Sequence, residues 1–65
     1  MNTERALEIV AAAHASGMTY KAIAERLRCS PDTIRKWRER PDGSVNRAIA
    51  ANLVVLDADV HMGRD

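Results

Sequence analysis

Cysteine, proline, glycine and aromatic residues are all scarce in this sequence. Its 65 residues include one Cys, two Pro, three Gly, one Trp and one Tyr, and no Phe. A single cysteine excludes an intrachain disulfide and a multi-cysteine metal site. Two aromatic residues give little support to a stacking surface for single-stranded nucleic acid. We therefore expect one domain over residues 1–65 that packing alone holds together, with marginal stability as a monomer.

The sequence also lacks a long apolar run and any catalytic pattern. Two glutamates lie within the first ten residues, so we expect neither a signal peptide nor a membrane partner, and a cytoplasmic location at the nucleoid of a bacterial or phage-infected cell. His14, expected at a core edge, is far from His61, so no metal site is expected. Asp57 and Asp59 would point apart on a helix and make no acid–base pair. We predict no enzyme, no cofactor and no small-molecule ligand.

Composition and charge indicate a helical protein with two different surfaces. The chain is 46% hydrophobic and 29% charged, which is typical of a globular and mostly helical domain. The net charge is only +1, yet Arg26–Arg40 carries six basic residues against two acidic ones, and the chain from Pro41 onward carries two basic residues against four acidic ones. This asymmetry indicates one face for a polyanion and another face for a different partner.

Capping residues and apolar spacing predict two helices in the first half of the chain. Asn2 or Thr3 can cap the first helix, and Gly17 ends it. The second helix covers Tyr20–Arg28, and Thr19 is its cap. A methionine before this cap and an isoleucine within the helix are placed to form a hydrophobic staple, which fixes the angle of entry.

A third helix is predicted after a tight turn. Ser30, Pro31 and Asp32 combine a capping hydroxyl, a proline where no N–H is needed, and a carboxylate near the positive end of the helix dipole. The helix extends to about Arg40, and Pro41 ends it. The single cysteine, immediately before this start, is expected as a small buried residue rather than a redox sensor.

The C-terminal part is predicted as a turn followed by a fourth helix capped by Ser44. The run Leu53–Leu56 could instead form a short strand, although the preceding alanines favour a helix. His61–Asp65 is expected to fray. The apolar stripe of this helix is expected to form a homodimer interface, made of Val45, Ile49, Asn52, Leu53 and Leu56.

The third helix has two different faces. At about 100° per residue, Ile34 and Trp37 point inward and polar side chains point outward. A helix in the major groove of DNA contacts base edges through the start and middle of its outer face, whereas more lateral residues and helix N-termini contact phosphates. The residues expected at bases are Asp32, Thr33, Arg35 and Lys36. Those expected at phosphates are Thr19, Tyr20, Lys21, Arg28, Ser30, Arg38 and Arg40.

The segment Tyr20–Trp37, YKAIAERLRCSPDTIRKW, resembles the helix-turn-helix shared by phage and bacterial regulators, recombinases and terminase small subunits. In that motif a small residue brings the two helices together, which matches Ala24, and buried aliphatic residues match Leu27 and Ile34. The motif commonly has glycine where this chain has Arg28, so we expect a left-handed turn that costs about 1 kcal/mol. The expected fold is a compact all-α domain of four helices, with a central helix-turn-helix over residues 19–40 and a dimerisation segment over residues 44–60.

Two functions of different classes are consistent with these features. The first is a sequence-specific transcriptional regulator of double-stranded DNA, a homodimeric repressor or autorepressor of a palindromic, inverted-repeat operator. The alternative is the DNA-recognition component of a phage packaging machine or a recombination complex, with its C-terminal segment on a larger protein. Basic residues on an exposed helix can also be only a solvated surface, so a helical domain without nucleic acid is a third interpretation.

Overall fold

A computed structural model describes residues 1–62 of the chain. These residues form four helices and no named strand, so the predicted all-α fold is confirmed and the alternative strand at Leu53–Leu56 is wrong. The expected frayed tail is helical at His61 and Met62, and its residues 63–65 lie outside the described part. No helix in the described part has the length and apolar composition of a membrane span. The helices are α1 (Thr3–Ala15), α2 (Tyr20–Leu27), α3 (Pro31–Glu39) and α4 (Arg47–Met62).

The first two helices begin at capping side chains. Asn2 Oδ1 accepts a hydrogen bond from the Arg5 N–H at 2.8 Å, and Thr19 Oγ1 accepts one from the Ala22 N–H at 3.1 Å. Each bond satisfies a backbone donor that the first turn of a helix leaves without a partner. Gly17, with φ of 113°, follows α1 as expected. The starts of α1 and α2 were therefore predictable from local chemistry.

The start of α4 corrects one prediction. Ser44 does not cap this helix, because it pairs with Asn2 in an isolated antiparallel bridge and the following N–H, that of Val45, donates to the Met1 carbonyl oxygen at 2.8 Å. Asn46 takes the capping role instead, since its Oδ1 accepts a hydrogen bond from the Ala48 N–H at 2.8 Å. The long-range contact to the N-terminal segment thus delays the helix beyond the residue that local chemistry favours.

The core lies between the helices, with α1 and α2 as its central pair. Helices α3 and α4 each pack against both α1 and α2, and within residues 1–62 they make no contact with each other. They therefore lie on different sides of the α1–α2 pair. The buried apolar residues are Ala6, Ile9, Val10, Ala13, Ile23, Ala24, Leu27, Ile34, Trp37, Val45, Leu53, Leu56 and Val60.

The five residues predicted to form the dimer interface all pack within the chain itself. Leu53 is 0% exposed, Leu56 1% and Val45 8%. Ile49 is half-buried against the core, and Asn52 donates a hydrogen bond of 3.1 Å from Nδ2 to a backbone carbonyl of α2. Val45, Leu53 and Leu56 are buried within one chain and offer no surface to a second copy, so the predicted interface is corrected at these three residues, whereas Ile49 and Asn52 are only half-buried. The apolar stripe of α4 packs against α1 and α2 and completes the core of the domain.

Candidate nucleic-acid interface

The turn between α2 and α3 has the left-handed geometry expected of the motif. Arg28 has φ of 59° and ψ of 42°. The N–H groups of Arg28 and Cys29 donate to the carbonyls of Glu25 and Ala24, at 3.2 and 3.0 Å, and so complete the end of α2. The expected strained turn is therefore present. It sets the direction in which α3 leaves α2.

Cys29 lies in this turn as a half-buried side chain that packs against the core. Burial raises the pKa of the Cys29 thiol above its ordinary value, because a thiolate is poorly solvated there. The raised pKa disfavours the thiolate, which is the reactive form in redox chemistry. The environment of Cys29 therefore suits a packing residue.

Helix α3 is anchored through its inner face. Ile34 is 3% exposed and Trp37 7%, whereas Asp32, Arg35 and Lys36 are exposed. The inward and outward faces of α3 are thus placed as predicted. Because two buried side chains fix the rotation of the helix about its axis, the outward side chains have a defined direction.

The outward face of α3 contains one internal ion pair. An Arg35 guanidinium N–H donates to the Asp32 carboxylate one turn earlier, and both side chains are more than half exposed. Thr33 differs from its predicted neighbours because it is half-buried, with its hydroxyl 3.2 Å from Ser30 Oγ. Ser30 occupies the N-cap position of α3, yet its side chain bonds to no helix N–H. Three of the four predicted base-contacting residues therefore share one exposed face, and Thr33 lies beside it.

Three side chains from three helices form a stack at one edge of α3. The rings of His14 and Tyr20 are parallel to within 14°, with centroids 4.3 Å apart, and the Arg38 guanidinium lies 4.9 Å from the Tyr20 centroid. Arg38 also donates a hydrogen bond to the Tyr20 hydroxyl. His14 Nδ1 lies 3.0 Å from the Met18 carbonyl oxygen. The stack holds Arg38 against the start of α2.

The structure corrects the expected place of His14. This side chain is exposed and contacts Tyr20 rather than the core edge. Apolar periodicity could not reveal the stack, because it depends on how α1, α2 and α3 are arranged in space. A shallow cavity of about 190 Å³ lies beside the stack and is lined by Tyr20, Pro31, Ile34, Arg35 and Arg38.

Basic side chains surround the outward face of α3. Arg28 lies in the turn, Arg40 is the C-cap residue of α3, and Lys21 is in the first turn of α2. All three are exposed, as are Lys36 and Arg38, and none of these five forms a salt bridge within residues 1–62. Thr19 is exposed with its hydroxyl in the cap of α2, and Tyr20 is half-buried. The predicted phosphate-contacting residues are thus distributed over α2, the turn and α3.

Comparison with known proteins identifies the fold family. The family model of the homeodomain-like domain matches residues 2–52, which cover α1, α2, α3 and the first part of α4. No curated protein and no solved structure gives a significant match. The family match includes both helices of the motif, the Arg28 turn and the supporting α1. The chain belongs to the homeodomain-like domain family and is a small helix-turn-helix DNA-binding protein.

Proposed function

We propose that the protein is a sequence-specific transcriptional regulator of double-stranded DNA, without enzymatic activity, in the cytoplasm of a bacterial or phage-infected cell. It acts as a homodimeric repressor or autorepressor at an inverted-repeat operator. The observation that carries this proposal is the outward face of α3, where exposed charged side chains project from a helix that Ile34 and Trp37 fix in rotation. A fixed helix in the major groove can read base edges.

Base recognition is assigned to the exposed residues of α3. Arg35 and Lys36 donate to guanine O6 and N7, and Asp32 accepts from cytosine N4. The Asp32–Arg35 ion pair orients the guanidinium before binding, which lowers the entropy lost when Arg35 meets a base. Thr33, half-buried beside Ser30, contributes at most its methyl group or hydroxyl at the edge of the contact.

Phosphate contacts are assigned to the residues around this face. The first turn of α2, with Thr19 and Lys21, presents backbone N–H groups and a positive charge to one strand. Arg38, held against Tyr20, lies at the neighbouring edge of α3. The remaining phosphate contacts are assigned to Arg28, Ser30 and Arg40. Such contacts position the protein on the duplex and make its affinity depend on salt.

Two copies are needed for regulation because a single small domain makes few phosphate contacts. Non-specific affinities of about 10⁻⁴–10⁻⁶ M do not hold a promoter against competing genomic DNA. Two copies on half-sites about 34 Å apart, one turn of B-DNA, double the contact area. A dimer bound over a promoter lowers transcription by occlusion, which requires no effector domain.

Selection of binding sites from a random duplex pool, followed by binding titrations at two salt concentrations, tests the proposal. We expect the selected sites to be inverted repeats and the affinity for them to fall steeply as salt rises. Arg35→Ala should weaken binding to the selected site, while Arg5→Ala, which removes an exposed arginine from α1, should not. Failure of the wild type to bind any duplex at low salt would overturn the proposal.

A transcription reporter with the selected site over its promoter separates the regulator from the alternative function. A repressor lowers transcription, and Arg35→Ala relieves this effect. A component of a packaging or recombination complex would bind as a single copy and depend on its larger protein partner for stable occupancy, so alone it would not occlude the promoter. Selected sites without two-fold symmetry, together with unchanged transcription, would therefore favour that alternative.

A further inference from the structure

The outward face of α4 is apolar, whereas the outward face of α3 is charged. Between residues 48 and 58, every exposed residue of this helix is Ala or Val. Val54 is 59% exposed and Val55 56%, although valine side chains favour burial. These residues, here called the outer α4 face, are Ala48, Ala51, Val54, Val55 and Ala58.

We propose that the outer α4 face is a homodimer interface, in which two α4 helices pack antiparallel across a two-fold axis between Val54 and Val55. This inference rests on the proposed function, because it supplies the second copy that an inverted-repeat operator requires. It also replaces the buried stripe of α4, whose residues close the domain of each chain. The partner is a second copy of this chain.

The antiparallel arrangement makes the outer α4 face complementary to itself. With the axis between Val54 and Val55, each Val54 lies opposite Val55 of the second copy, and each Ala51 lies opposite Ala58 of the second copy. Two-fold symmetry requires such reciprocal pairs. The alanine pairs on both sides of the central valines let the two helix backbones approach closely, at the short end of the usual 8–10 Å between packed helices.

Charge favours the antiparallel over the parallel arrangement. Arg47 is exposed in the first turn of α4, while the C-terminal half carries Asp57 and Asp59. In the antiparallel pair, Arg47 lies beside the C-terminal end of the second copy, where the helix dipole is negative. Asp57 and Asp59 pair with Arg5 and Arg26 of their own chain, so the negative end of the helix dipole is the main attraction for Arg47 of the second copy. A parallel pair would instead place two Arg47 side chains together.

The position of α4 leaves the DNA-binding face of each copy open. Helices α3 and α4 pack on different sides of the α1–α2 pair and make no contact within residues 1–62.

Sedimentation of the full chain over a range of concentrations, combined with one charge inserted into the outer α4 face, tests the interface. Wild type should associate reversibly to a dimer. Val55→Glu should raise the dimer dissociation constant at least about tenfold, because the dimer buries two unpaired carboxylates. Ala11→Glu adds the same charge at an exposed position of α1 and should leave the constant unchanged. At a protein concentration well below the dimer dissociation constant of wild type, where both variants are single chains, circular dichroism should show the same helix content and unfolding temperature for Val55→Glu as for Ala11→Glu.

A charge exchange tests the direction and register of the two helices. In the antiparallel pair, residue 47 lies opposite residue 62 of the second copy, and Met62 is 77% exposed. Arg47→Glu should weaken association, and addition of Met62→Lys should restore it. The two positions are about 22 Å apart along one helix, so the rescue cannot occur within a single chain.

The outcomes for the interface and for the proposed function are separable. Two results together would overturn the interface: wild type stays a single chain at every concentration, and it occupies both half-sites with the same cooperativity as Val55→Glu. An equal effect of Ala11→Glu and Val55→Glu would also overturn it. Val55→Glu should keep wild-type affinity for a single half-site, since its α3 is unchanged. Association through α4 in a protein that binds no duplex would leave the interface valid and the proposed function wrong.

Discussion

Helices α3 and α4 bury similar faces but expose opposite ones. Both pack against the α1–α2 pair through apolar side chains, Ile34 and Trp37 in α3, and Leu53 and Leu56 in α4. The outward face of α3 is charged, whereas the outer α4 face carries no exposed charge between residues 48 and 58. Since the two helices have similar roles in the core, the difference between their outward faces is the basis for proposing a different external partner for each.

Helix α4 itself has one face for stability and another for the proposed recognition. Its inner residues are as buried as any in the chain, while the two valines between Leu53 and Leu56 are more than half exposed. Apolar residues on both sides of a helix indicate two separate contacts. The inner contact holds one chain together, and the outer contact is assigned to a second copy.

Leu53→Asp, compared with Val54→Asp, gives the largest expected effect and tests the division of α4 directly. Leu53 is 0% exposed, so a carboxylate there should cost more than about 3 kcal/mol of folding free energy. A chain of this length has a total stability of about 3–10 kcal/mol. Thermal unfolding followed by circular dichroism should therefore show a largely unfolded Leu53→Asp.

Val54→Asp places the same carboxylate one residue later, at an exposed position. Measured at a concentration where both proteins are single chains, its free energy of unfolding should stay within about 0.5 kcal/mol of wild type, while its dimer dissociation constant rises. A folded, monomeric Leu53→Asp would contradict the assignment of Leu53 to the core and would restore the interface that the sequence alone predicted.

The parts of the fold that depend on local chemistry were predictable from the sequence. Asn2 and Thr19 cap their helices through side-chain bonds to residues three positions later. Arg28 takes the left-handed conformation because the position after Leu27 requires it, whichever residue is present. The inward direction of Ile34 and Trp37 follows from helical periodicity alone.

The parts that depend on tertiary contacts were not predictable. Periodicity marks Leu53 as a residue of an apolar stripe, but it does not tell whether the stripe faces its own chain or a second copy. Ser44 has the chemistry of a cap, yet its bridge to Asn2, remote in sequence, moves the cap to Asn46. His14 has helical spacing for the core edge, and only the arrangement of α1 and α2 places it on Tyr20.

Arg35→Ala tests the outward face of α3 as a base-reading surface. The loss of a guanidinium at a guanine should cost about 1–3 kcal/mol of binding to the selected operator and relax the base preference at that position. Titrations on operator and on random duplex should show a much smaller loss on random duplex. Equal losses on both would show that Arg35 contacts phosphate rather than a base.

Arg40→Ala should have a smaller and uniform effect. Arg40 is an exposed C-cap residue at the end of α3, away from the first turn that reaches deepest into the groove. Its removal should weaken binding to all sequences alike and reduce the slope of log affinity against log salt by about 1. The matched control is Arg47→Ala, an exposed arginine of α4 that should leave binding to a single half-site unchanged. Sequence-dependent losses for Arg40→Ala would extend the base-reading surface to the end of α3.

Arg28→Gly should have the smallest effect, with opposite signs on folding and on binding. Glycine adopts the left-handed conformation without the steric cost of a side chain. The relief of this strain is partly offset because glycine gives the unfolded chain more conformational entropy. The free energy of unfolding should therefore rise by about 0.5–1 kcal/mol. The loss of one cation should weaken binding to every duplex modestly.

The matched control is Arg28→Lys, which keeps the charge and the strained turn, so both the free energy of unfolding and the duplex affinity should stay near wild type. A rise in the free energy of unfolding of Arg28→Gly with no loss of duplex affinity would show that Arg28 does not contact phosphate. The predicted pair of opposite changes would instead mean that the α2–α3 turn keeps a strained arginine because its charge is needed for DNA binding, a requirement that α4 does not have.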